Sequence, residues 1–207
     1  LEVQSLSVNN SPNRRKIRRK YSKLLTEADS CFVLEIGRGL RDGGQFGMCT
    51  ELISNHKLTF NCLNQEILED LGKDINSWWT VDAFARDLSG PAWLAGLIKD
   101  DVIHAWARSE SFWWRRAALV STVALNSRSQ GGKGDTDRTL AVCRLLVSDY
   151  EDMVVKGMSW ALRDLIWHDR KAVQAFLEKH EDNLAARVKR EVRNKLETGL
   201  KNPRKGK

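Results

Sequence analysis

Between Pro12 and Pro203 the chain has a single proline, Pro91, and apolar residues return at helical spacing in one segment after another. Proline breaks a helix interior by removing an N–H and clashing with the preceding turn, so its scarcity leaves long helices free to form. Over 151–168, Val154, Met158, Ala161, Leu162 and Leu165 fall at i, i+4, i+7, i+8 and i+11, which is one face. Over 77–88, Val81, Phe84, Ala85 and Leu88 fall at i, i+3, i+4 and i+7, with Ser77 in the N-cap position. No segment reads convincingly as a strand, and the good helix formers Ala, Leu, Arg, Lys and Glu are abundant.

Helices are expected at about 11–25, 28–40, 46–55, 64–71, 77–88, 92–98, 101–108, 110–125, 137–147, 151–168, 170–179 and 183–200. Gly43-Gly44 and Gly90-Pro91 read as breaks, and residues 126–137 (NSRSQGGKGDTD) as the one clear loop. Helices of this length in pairs of roughly 35–40 residues predict an all-α fold, an α-solenoid of HEAT-like antiparallel helical repeats. The concave face of such an array is its usual binding surface. The expected organisation is a disordered segment at 1–10, one repeat domain at 11–200 and a flexible basic tail at 201–207.

The net charge of +7 matters less than its placement. Residues 11–23 carry seven basic and no acidic side chains, and residues 187–207 carry nine basic and two acidic ones. The stretch between them carries 18 basic and 24 acidic residues. Two cationic ends suit a polyanion gripped at two places, although basic termini are also commonly solvated tails. Apolar content of 42% and charged content of 29% are those of a globular protein, and no apolar run approaches the ~20 residues that span a bilayer. Cys31, Cys49, Cys62 and Cys143 are scattered and do not cluster with histidines, which argues against a zinc site or a disulfide framework and fits a reducing cytoplasm. Walker-type and dinucleotide glycine motifs are absent, as is a Ser-His-Asp signature.

Three side chains sit where an ordinary core does not want them. Asp82 follows Trp78 by one helical turn and lies at the edge of the apolar stripe of 77–88. It either caps or pairs with a neighbouring helix, or it is a carboxylate held under an indole for chemistry. Arg116 stands four residues after Phe112 and four before Val120, on an apolar face, whereas Arg115 points elsewhere. A half-buried arginine needs an anion, which is a phosphate or a carboxylate, Asp82 among them. Trp160 lies about 200° round the helix from Met158, between Lys156 and Arg163. It belongs to a contact surface or packs on the next helical pair. A carboxylate with indoles and a guanidinium on basic scaffolding suits a cation or a cationic transition state.

These residues carry a resemblance. The basic opening PNRRKIRRKYS, then SWWTVD, the W-x-R-R of Trp113–Arg116, VKGMSWALRD and the C-terminal REVRNKLETGLKNP together resemble the DNA alkylation repair family of HEAT-like-repeat alkylpurine DNA glycosylases, the AlkD-like proteins. The likeness spans about residues 12–203. It implies removal of N3- or N7-alkylated purines from duplex DNA by hydrolysis of the N-glycosidic bond, with no metal or cofactor, by a monomer acting on DNA in the cytoplasm and not at a membrane. It places the catalytic acid on Asp82, aromatic walls on Trp78 and Trp160, and the phosphate contact on Arg116. Arg115, Arg163, Lys156, Arg128 and Lys133 are expected to support DNA binding, and the Trp78-Trp79 doublet leaves Trp79 as a second candidate ring. The competing reading is an inactive HEAT-like scaffold that binds nucleic acid or protein. In that scaffold Asp82 is consumed by an ion pair.

Overall fold

The computed structural model describes residues 11–203, and these are helical with no strand among them. The expected disordered segment at 1–10 and the last four residues of the basic tail lie outside the described residues. The chain divides into two compact units, one ending at Asp74 and one beginning at Ile75. No described helix is long and apolar enough to cross a membrane.

The first unit contains α1 (Ser11–Leu24), α2 (Ser30–Asp42), α3 (Phe46–Asn55), α4 (Lys57–Asn61) and α5 (Gln65–Gly72). Helix α3 packs on α1, α2 and α4. Ile17 of α1 meets Met48 of α3, and Arg18 pairs with Glu51 at 3.1 Å. Buried Arg41 reaches the Asp70 carbonyl at 2.7 Å and so ties α2 to α5. Helix α4 was not expected. Its cap is His56, whose Nδ1 accepts from the Thr59 amide at 3.2 Å, and histidine is outside the usual Ser/Thr/Asp/Asn capping set.

The second unit opens with α6 (Trp78–Phe84), a π-helical turn at Ala85–Ser89 and α7 (Gly90–Leu94), one continuous helical run. The break expected at Gly90-Pro91 is therefore wrong. Proline has no N–H to give the turn before it, and the wider turn absorbs that loss: the Gly90 amide donates instead to the Ala85 carbonyl, five residues back. Glycine is required here for space. A Cβ at Gly90 would lie 2.7 Å from the carbonyl oxygens of both Ala85 and Ser121.

Then come α8 (Asp100–Ala107), α9 (Phe112–Asn126), α10 (Thr136–Leu145), α11 (Asp152–Leu165), α12 (Arg170–Lys179) and α13 (Ala186–Thr198). Helices α9, α11 and α13 pack against one another in order, while α8, α10 and α12 each pack on the helix that follows them. That two-layered stacking of helix pairs is the build of an α-solenoid. Helix α9 is its centre. Every residue from Arg116 to Asn126 is buried, and α9 touches α6, α7, α8, α10 and α11. Its buried polar side chains, Ser121, Thr122 and Asn126, find partners within the unit, and α9 is covered on every side by its neighbours.

Candidate active site

Helix α6 starts where Ser77 caps it. The Thr80 amide donates to Ser77 Oγ at 3.4 Å and the Ser77 amide donates to Thr80 Oγ1 at 3.2 Å, a reciprocal capping box. Val81 and Phe84 are fully buried, and Phe84 meets the rings of Trp106 at 5.8 Å and Trp114 at 5.6 Å. Cap and aromatic cluster together fix the rotation of α6. Trp78 is left exposed, and Asp82 is half-buried one turn below it.

Arg116 reaches Asp82 from α9. Its Nε donates to Oδ1 at 3.0 Å and its Nη2 to Oδ2 at 2.9 Å, a two-point grip. Its Nη1 donates to the Met153 carbonyl in the first turn of α11 at 2.6 Å. The arginine side chain is 6% exposed and the aspartate side chain 16% exposed. Arg116 thus holds a carboxylate, one of the two anions its sequence position allows. Three of the five guanidinium N–H groups are used in this way. The carboxylate keeps its remaining lone pairs and a strip of exposed surface.

Helix α11 brings Lys156, Trp160 and Arg163 to one side. With Trp78, Arg116, Met153, Arg187 and Lys201 they line an open pocket of about 310 Å³. Two indoles and five cations therefore face one hollow, and Asp82 is bonded directly to its wall. Trp160 packs on the cluster of Ala85, Val120 and Val123 and also lines the pocket. Its Nε1 donates to Asp164 Oδ2 at 3.1 Å.

Acids hold the cations of the rim in place. Asp152 bridges Lys156 at 2.6 Å and Arg187 at 2.8 Å, and its hydrogen bond to Lys156 holds its carboxyl below the ordinary range. Buried Glu191 accepts from Ser159 Oγ at 2.6 Å and faces Lys201 at 3.4 Å. Arg163 donates its Nε to Ser159 Oγ at 3.2 Å, and burial pulls its guanidinium below its usual value. Lys201 is also anchored through its carbonyl, which accepts from Asn194 at 3.0 Å.

Trp78, Trp160, Arg116, Lys156 and Arg163 thus share one pocket, and Asp82, though not itself a lining residue, is hydrogen-bonded to Arg116 in its wall. The other candidates lie elsewhere. Arg115 donates to Asp149 at 2.7 Å and to the carbonyls of Ser109 and Glu110, which fastens the turn before α9. Trp79 is exposed and lies outside the pocket lining, whereas Trp78 is part of it. Arg128 borders a second hollow with Trp167 and His168, and Lys133 is exposed on the loop that follows. Arg187, Lys201 and Asp164 are not singled out by the sequence: Asp164 and Lys201 stand inside the matched segments without a role, and Arg187 is one charge of the C-terminal basic run. Cys49 and Cys143 are buried, and burial pushes both thiols up to about 12, so neither is a nucleophile at neutral pH.

The family model described as DNA alkylation repair enzyme matches residues 9–196. No curated protein and no solved structure gives a significant match.

Proposed function

The chain belongs to the DNA alkylation repair enzyme family, and we propose that it is a monofunctional DNA glycosylase that hydrolyses the N-glycosidic bond of N3- or N7-alkylated purines in duplex DNA. The observation that carries this reading is Asp82, gripped at both oxygens by Arg116, which itself lines a pocket with Trp78, Trp160 and other cations.

An N3- or N7-alkylated purine already bears positive charge, so it departs without a general acid. The bond that breaks is the one from the sugar C1′ to the base nitrogen, and its electrons leave with the base. The sugar becomes oxocarbenium-like, and a carboxylate beside it lowers the barrier electrostatically. Asp82 is that carboxylate. It also orients the water whose oxygen bonds to C1′, and the water's proton is released to solvent. Trp78 and Trp160 face the cationic sugar and base with their rings.

Arg116 takes a role different from the one its motif suggests. With three N–H groups committed to Asp82 and Met153, its first task is to orient the carboxylate. Backbone phosphates then fall to Lys156, Arg163, Arg187 and Lys201, whose charges ring the pocket. The protein acts on DNA as a monomer.

A second reading has its own support. Because Arg116 engages both oxygens of Asp82, the pair also fits an inactive nucleic-acid scaffold that keeps the acid for structure. The experiment that separates the two is incubation with duplexes carrying 7-methylguanine, 3-methyladenine or the neutral base hypoxanthine. A glycosylase of this mechanism frees the two cationic bases and leaves hypoxanthine. Equal release of all three contradicts the cationic leaving group, and release of none with DNA binding intact supports the scaffold.

A further inference from the structure

Trp160 is held at its polar edge as well as by its apolar body. The ring packs on Ala85, Val120 and Val123, contacts that have no directional preference. Orientation comes from Nε1, which donates to Asp164 Oδ2 at 3.1 Å, one turn further along α11. Resting on the glycosylase reading, we propose that Asp164 is a positioning residue for base excision: it sets the plane of Trp160 in the pocket wall and, as a carboxylate, enriches the indole face that meets the cationic sugar.

The chemistry favours a charged partner. A hydrogen bond to a carboxylate is roughly twice as strong as one to a neutral acceptor. An anion at the N–H edge also pushes electron density toward the ring, which strengthens its attraction for a cation over the face. Arg163, next in the chain, turns away to Ser159 Oγ. Arg86 of the π-helical turn, Lys195 of α13 and Arg163 act on Asp164 electrostatically, and Arg128 and His168 share with it the second hollow, of about 490 Å³. Burial holds the carboxyl above its ordinary range, against the smaller opposing pull of the Trp160 N–H, Arg163, Lys195 and Arg86.

The molecule contains its own control. Trp93 Nε1 donates to Asp100 Oδ1 at 2.8 Å in the same way, but Trp93 is 1% exposed and lines no part of the pocket. Its ring meets the Arg138 guanidinium, 5.0 Å from the ring centroid, and no part of that pocket.

The test is single-turnover release of 7-methylguanine from methylated duplex DNA by wild type, Asp164→Asn, Trp160→Phe and the double variant, with DNA affinity measured alongside. Asp164→Asn is expected to slow release about fivefold to tenfold with affinity unchanged. In the Trp160→Phe background it should cost nothing further, because the residue acts through the indole. Asp100→Asn should lower Tm and leave the rate alone. Equal loss from Asp164→Asn in both backgrounds, or no loss in either, overturns the role. A wild type that releases no base overturns the glycosylase reading and this role with it. Should Asp164→Asn fail to fold, the Trp160 indole N–H resonance of the wild type, identified by its loss in Trp160→Phe, decides. It should shift as Asp164 titrates at a pH above the ordinary carboxylate range, and an N–H resonance that is unmoved across that range overturns the role.

Discussion

Arg116 grips both carboxylate oxygens of Asp82 across 34 positions of sequence, at 3.0 and 2.9 Å. The same guanidinium holds the Met153 carbonyl at 2.6 Å, so one side chain joins α6, α9 and α11. The geometry of the pocket and the stability of the second unit are thereby linked. A residue that aims the carboxylate cannot be removed without loosening the three helices that form the wall.

Arg116→Ala should therefore cost about 3 kcal/mol of stability, because it leaves Asp82 half-buried without its partner. Arg116→Lys keeps the charge but loses the fork, and should recover only part of that loss. Urea melts followed by far-UV circular dichroism measure both. An alanine variant as stable as wild type would mean that the pair contributes nothing to the fold.

The cations held by Asp152 should read phosphate charge and not base sequence. Lys156→Ala and Arg187→Ala should each weaken DNA binding alike on methylated and unmethylated duplexes. Each should reduce the slope of log affinity against log salt by about 1. Titrations at several salt concentrations check this, and an unchanged slope would place both side chains off the DNA.

Two helical glycines should respond with opposite sign. At Gly90 a Cβ meets backbone oxygens of Ala85 and Ser121 at 2.7 Å and the Ala124 Cβ at 2.9 Å, so Gly90→Ala should cost ~3 kcal/mol. At Gly157 the nearest atoms are Leu119 Cβ and Cδ1 at 3.5 Å and Arg116 Cγ at 3.6 Å, ordinary contact distances. Gly157→Ala should thus gain about 0.5–1 kcal/mol from the lower entropy of the unfolded chain. Thermal melts of the two variants beside wild type are sufficient.

Acid should weaken the first unit through Asp70. Its hydrogen bond from Arg38 at 2.6 Å, with Arg41 beyond, holds its carboxyl below the ordinary range. Stability from that pairing is full above the unfolded value of about 3.9 and is lost as pH falls through the lower folded value. Asp70→Asn should accordingly be less stable than wild type at neutral pH, and the gap should narrow as pH falls below the unfolded value of about 3.9. A gap that persists at the acid end would assign the loss to packing.

The helices that follow from local pattern were legible. Ser77 reads as a cap from its place before an apolar stripe, and 170–179 agrees with α12 at both ends. What failed was decided by contacts the pattern does not contain. Gly90-Pro91 looks like a turn until the packing of α7 on α9 and the π-helical turn before it are known. Helix α4 was hidden because histidine caps it. In the site, spacing on one helix found Trp78 with Asp82 and Lys156 with Trp160 and Arg163. It could not choose the anion for Arg116, send Arg115 to Asp149, or bring Arg187 and Lys201 from the C-terminal charge run to the same pocket.

The role proposed for Asp82 is to perform the chemistry and not merely to pair with Arg116. The direct measurement is single-turnover release of 3-methyladenine and 7-methylguanine from methylated duplex DNA by wild type and Asp82→Asn, with DNA affinity and Tm of both recorded. The expected result is release by wild type, a loss of at least about a hundredfold in the variant, nearly unchanged affinity and a fold that survives the substitution. Release by Asp82→Asn at the wild-type rate, or a variant whose lost activity follows lost folding, would contradict it.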